Sequence, residues 1–177
     1  MDLAQMIIHF ASSFSVAMWR FLWVLGALVG LIYVGSSLMR MQRASRFPGQ
    51  NPVTTGDILP ILIIGGLLLN LSRFINATWN SIGIGTVTYG PIAYSGAADF
   101  GRFAEAINAV LTLASVAGGV FFFKGVLFLK KASVDGQSSQ GADDSVWRAI
   151  THMLGGAGLV QIAEMIDAFR QSFSLFW

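Results

Sequence analysis

The chain has 177 residues, of which 54% are hydrophobic and only 11% charged, with a formal net charge of +2 and no cysteine. Soluble domains carry roughly 25% charged residues because their surface must be solvated, so this composition excludes an ordinary soluble enzyme. The missing thiols exclude a disulfide framework and any thiolate metal site.

The opening "MDLAQMIIHFASSF" has an acid near its start and lacks the basic n-region of a secretory signal peptide. Residues 1–17 are apolar with little charge, which predicts an N-terminal helix lying at the membrane interface. Arg20 sits between Trp19 and Trp23 as an interfacial anchor. Phe21 to Met39 is then uncharged, and a helix of that length rises about 28 Å, close to the hydrocarbon thickness of a bilayer. Arg40, Arg43 and Arg46 follow it. A shorter apolar segment runs from Ile58 to Ser72, with Pro60 expected in its first turn, where a missing N–H costs least.

Gly83 to Phe103 is rich in glycine, which favours turn over helix, yet it is too apolar for a plain flexible linker. The expectation is that it folds back on the membrane surface or packs against a partner. Ala106 to Phe123 is the second long uncharged stretch, extended past Lys124 by "GVLFL" and closed by Lys130 and Lys131. The polar loop "SVDGQSSQGADDS" leads to Arg148 and a fourth segment, Ala149 to Ala163, that carries His152 and Gln161. Glu164, Asp167 and Arg170 beyond it read as a solvated helix end.

The basic turns after the first and third segments share one side, expected to be cytoplasmic by the excess of Lys and Arg. The fold class that follows is an all-α integral membrane protein. It has four membrane helices as two tandem helical hairpins, plus the N-terminal interfacial helix. The divisions are 1–17, the first hairpin 18–82, the connector 83–103, and the second hairpin 104–177.

Two phrases point to duplication of that hairpin. "INATWNSI" from Ile75 and "IDAFRQSF" from Ile166 close the two halves 91 positions apart. Gly35 with Gly125, Arg40 with Lys130, and the pair Gly65–Gly66 with Gly155–Gly156 recur in the same order at an offset of about 90. Glycine is the residue most plainly placed for close helix packing in lipid, where apolar association has no hydrophobic driving force. Gly26, Gly30, Gly65, Gly66, Gly118, Gly119, Gly155 and Gly156 are the candidate packing positions.

Catalytic grammar is missing. "GIG" at Gly83 opens no phosphate-binding loop, and His9 and His152 have no ligand-spaced neighbour. Lys124 reads as a cation that snorkels toward the basic side, or else pairs with an acid or a lipid phosphate. With Arg40, Arg43, Arg46, Lys130 and Lys131, it forms the set expected to face lipid headgroups. No cofactor is expected, phospholipid being the one candidate ligand.

The stretch "TGDILPILIIGGLLLNLSRFINATWNSIGIGT", Thr55 to Thr86, resembles the TraQ-type conjugal transfer proteins of IncI-type plasmids and the related DotE (IcmC) component of the Dot/Icm secretion system. That resemblance implies a non-enzymatic subunit of a type IVB conjugation or secretion apparatus in a bacterial inner membrane. Its partners would be other membrane subunits, further copies of itself and phospholipid, with no direct sequence-specific binding of nucleic acid. The hairpin with a basic turn also looks like conjugative pilins, so a double-hairpin pilus subunit is an alternative. A small transporter built on Asn70, Lys124, His152 and Gln161 is a third reading.

Overall fold

In a computed structural model, residues 3–46, 55–83, 85–135 and 142–173 are described, and among them the only regular structure is helical. Helix α1, Leu3–Arg46, is 44 residues long, or about 66 Å. The expected separate interfacial segment at 1–17 is therefore not a separate element. No Gly or Pro interrupts the run before Gly26, so the backbone has no reason to stop, and the first four turns continue straight into the apolar span.

Helix α2, Thr55–Leu69, returns along α1 and is followed by α3, Leu71–Asn80. The second half repeats the plan. Helix α4 spans Ala104–Asp135, α5 spans Ala142–Val160 and returns along α4, and α6 spans Ile162–Ser172. The short helices break sharply, α2 to α3 by 94° and α5 to α6 by 88°. The expected segments Ile58–Ser72 and Ala149–Ala163 each run through one of these breaks. Pro60 sits in the second turn rather than the first, since α2 already begins at Thr55.

Each break is made at an amide residue. Asn70 has φ −119° and ψ 45°, and Gln161 has φ −105° and ψ 41°. One residue with positive ψ swings the following axis aside, while the Asn70 and Gln161 carbonyls still accept from Phe74 N and Met165 N at 3.0 Å. These equivalent amides stand 91 positions apart, like the two phrases after them. The opening register of about 90 is thereby corrected by one. Gly65 matches Gly156, each five residues before its break.

α1 and α4 run parallel: Trp19 and Leu22 reach Gly119, and Lys130 lies over Tyr33. One core joins the hairpins near the level of the breaks, with Trp19, Leu22, Leu68, Ile75, Phe122, Val126 and Val160 in a single cluster. Two helical stretches, Gln5–Arg46 and Ser95–Ser133, are long and apolar enough to cross a membrane, or up to four if each bent pair counts as one span.

The connector, expected to favour turn over helix, is partly helical and is not a free linker. It runs from Gly85 to Tyr94 without regular structure, then forms a 3-10 helix over Ser95–Phe103 that feeds α4. Gly85 and Gly90 take φ of +116° and +126°, a region that side chains with a Cβ avoid. Of the polar loop after α4, residues 136–141 lie outside the described residues.

Candidate functional site

Six of the eight candidate packing glycines stand where helices touch. A Cβ at Gly30 would meet the Gly65 carbonyl oxygen at 2.7 Å, and one at Gly118 would meet Val160 N at 2.6 Å and the Gly156 oxygen at 2.7 Å. Gly26 faces the Leu68 backbone and Leu71, while Gly119 lies under the Trp19 ring. Gly66 and Gly155 have no described atom within 4 Å of where a Cβ would stand. In the doublets Gly65–Gly66 and Gly155–Gly156, only the member aligned at the 91-residue offset makes the close approach. Gly125 packs on Ala149 and Met153, but its expected counterpart Gly35 faces open space.

The second feature is the way the connector is strapped down. Asn76 on α3 accepts from Val87 N at 2.9 Å, and Tyr89 Oη donates to the Ser72 carbonyl at 2.7 Å. Thr112 Oγ1 on α4 accepts from Ile92 N at 2.9 Å, and Asn108 accepts from Tyr94 N at 3.0 Å. Tyr94 Oη donates to Asp167 on α6 at 3.0 Å, and Gln161 Nε2 donates to the Thr86 carbonyl at 3.2 Å. An unpaired strap has no sheet partner for its backbone, and a buried N–H left alone costs about 1–3 kcal/mol. Side chains of the repeats supply the partners.

This arrangement explains the repeated phrase. Its second residue is Asn76 in the first copy and Asp167 in the second, and each holds one end of the same strap. Trp19 and Trp23, which flank the expected Arg20 anchor, stack on one another at 5.2 Å and each sets an edge contact to Tyr89 at 4.8 Å. Burial there pushes the Tyr89 phenol well above its ordinary pKa.

Between strap and α6 lies a cavity of about 270 Å³ lined by Thr88, Tyr94, Ser95, Gln161, Glu164 and Asp167 among others. Arg170 donates to Tyr94 Oη at 3.2 Å. That hydrogen bond, with the charges of Tyr94, Asp167 and Asp99, raises the guanidinium above its usual value. Asp167, Tyr94 and Arg170 thus form a bonded chain, where the sequence had predicted a solvated helix end. At the break itself, Ser115 Oγ on α4 donates to the Val160 carbonyl at 3.0 Å, an oxygen at the end of α5 that the bend leaves without its helical donor.

The basic set is gathered at the opposite end. Arg40, Arg43 and Arg46 are exposed in the last turns of α1, and Lys131 is exposed near the end of α4. Lys130 Nζ stands 5.2 Å from the Tyr33 ring centre. Lys124 Nζ is 5.5 Å from the Phe128 ring, so its ammonium extends one turn toward the basic end, as a snorkelling side chain would. His152 Nδ1 pairs with the Arg148 carbonyl at 2.8 Å, and its ring meets Phe121 and Phe128 edge-on. Asn70 is exposed at one break while Gln161 is buried at the other. Among the described residues no three His, Cys, Asp or Glu side chains come together as metal ligands.

Sequence reasoning missed the strap's partners Asn108 and Thr112, because polar residues inside an apolar helix read only as tolerated exceptions. Their spacing of four, which places both on one face, was the available signal. Comparison with known protein families, curated proteins and solved structures finds no match to the chain.

Proposed function

We propose that the chain is a non-enzymatic structural subunit of a membrane-embedded assembly, spanning the bilayer with four helices in two strapped hairpins. The basic ends of α1 and α4 lie at the cytoplasmic face and contact phospholipid headgroups, while both breaks, the strap and α6 lie at the other face. The assembly is a type IVB conjugation or secretion apparatus, on the resemblance carried by Thr55 to Thr86.

One observation carries the assembly reading. α1 continues N-terminal to Trp19 for residues 3–18, about 24 Å, past the level at which Ser115 holds the second break, with Ala11 and Ser15 buried on one side. On that projection Met6, Ile7, Phe10 and Phe14 are exposed, with Phe10 and Phe14 stacked at 5.3 Å. Met6, Phe10 and Phe14 recur every four residues and form one stripe. Apolar side chains outside the hydrocarbon gain about 1.5–3 kcal/mol each on burial, and other subunits, copies of this chain included, are the partners that cover them.

The chain is expected to run as an oligomer by light scattering in detergent, and replacing Met6, Phe10 and Phe14 together with glutamate is expected to reduce it to a monomer while leaving the melting temperature of the subunit unchanged. An oligomer of unaltered mass would remove the stripe from the interface. The apparatus itself is tested by shearing conjugating donor cells and blotting filaments and inner membranes for a tagged, functional copy. Protein in the inner membrane fits a channel subunit, and protein in filaments fits the pilus reading. Loss of the gene with no effect on transfer would contradict both.

A further inference from the structure

α3 and α6 are equivalent pieces of the repeat in unequal surroundings. Leu71, Ile75 and Trp79 of α3 are buried, and Phe74 meets Phe122 of α4 edge-on at 5.1 Å. α3 therefore spends its apolar face on the second hairpin. α6 lies on neither hairpin with a buried face, and none of its residues is buried.

Its sequence is nonetheless sharply divided. At 100° per residue, Ile162, Met165, Ile166, Phe169 and Phe173 share one face, while Glu164, Asp167 and Gln171 share the opposite one. Met165, Phe169 and Phe173 are 45%, 60% and 62% exposed, and Phe169 and Phe173 lie 4.5 Å apart.

The direction of each face follows from the strap. Asp167 is bonded to Tyr94, whose N–H is held by Asn108 in the second turn of α4. α5 meets α4 farther along, from Ser115 to Phe128. The strap thus lies on the outer side of the break, and the polar face of α6 is turned outward to it. The apolar face is turned back toward the depth of the spans. Because α6 runs at 88° to α5, its whole length lies across the spans at that level.

We infer that α6 is an in-plane membrane helix, with Met165, Phe169 and Phe173 set among the acyl chains of the leaflet on the strap side and Glu164 and Asp167 above the headgroups. This rests on the proposed membrane-spanning reading, in which α1 and α4 are long enough to span and α5 crosses beside α4. A lipid surface is the partner that fits, since an apolar stripe opposite a polar face on a helix parallel to the bilayer is the geometry of interfacial insertion. The break at Gln161 is then the point where the chain turns from crossing the membrane to lying on it.

The chain has no cysteine, so single nitroxide labels report cleanly. Met165→Cys, Phe169→Cys, Gln171→Cys and a span control, Leu28→Cys, would be labelled and reconstituted into phosphatidylcholine–phosphatidylglycerol vesicles. Collision rates with oxygen and with a water-soluble nickel chelate would then be measured. Labels at Met165 and Phe169 are expected to favour oxygen several-fold, as Leu28 does, while Gln171 favours nickel. Nickel-dominated relaxation at Met165 and Phe169 with an oxygen-dominated Leu28 would overturn the in-plane placement and leave the spans standing. Shielding from both reagents, with broadening that disappears on dilution by unlabelled protein, would overturn it in favour of a second copy on that face. A nickel-dominated Leu28 would remove the membrane-spanning reading and the inference with it.

Discussion

Gly156→Ala is expected to lower the stability of the purified protein by about 1–3 kcal/mol or more, the range for overpacking a close contact. Gly155→Ala, one residue earlier, is expected to be neutral or to raise it by up to about 1 kcal/mol, as an exposed helical glycine replaced by alanine does. The methyl group at 156 would stand 2.6 Å from Phe122 N and 2.8 Å from the Gly118 carbonyl oxygen. Both are backbone atoms of α4, and neither can move without shifting that helix. At 155 the methyl meets no described atom within 4 Å. Thermal unfolding in one detergent measures both variants, and equal midpoints would contradict the packing described. By the same logic Gly30→Leu is expected to impair folding of the subunit, because the Gly65 carbonyl it would strike belongs to the same chain.

The strap yields the second large effect. Thr112→Val keeps the side-chain shape but removes the oxygen that accepts from Ile92 N and donates to the Asn108 carbonyl at 2.7 Å. Thr112 is buried, so Ile92 N–H has no ready substitute, at a cost of about 1–3 kcal/mol. Hydrogen exchange at the Ile92 amide should quicken by one to two orders of magnitude if the cost falls on strap opening, since about 1.4 kcal/mol is a factor of ten. Unchanged exchange at Ile92 and Tyr94 would mean the strap is held otherwise.

The hairpin plan was legible because it depends on length and charge placement: two long uncharged stretches, two short ones, and basic residues after the first and third. The repeated helical plan was legible in the repeated phrase, although the purpose of the phrase was not. Asn76 and Asp167 matter through a segment between the copies, and no local spacing reveals which backbone a side chain will hold. The breaks were hidden because neither Asn70 nor Gln161 is Gly or Pro, the residues by which helix ends are read. The visible trace was a change of pattern, from apolar on all sides before each amide to apolar on one face after it. The glycine doublets show the limit of the packing rule. Composition placed Gly65 and Gly66 equally, but a helix presents adjacent residues about 100° apart, so only one of each pair can face the neighbour.

The central claim is that both breaks and the strap lie on one side of the membrane and the basic turns on the other. Ser45 and Ser95 are exposed at opposite ends of the helices, whereas the Ser133 hydroxyl is buried and would report poorly. Single cysteines at Ser45 and Ser95 would be treated with an impermeant maleimide in spheroplasts, before and after permeabilisation. The expected result is labelling of Ser95→Cys before permeabilisation and of Ser45→Cys only after it. Labelling of both positions from the same side would contradict the arrangement.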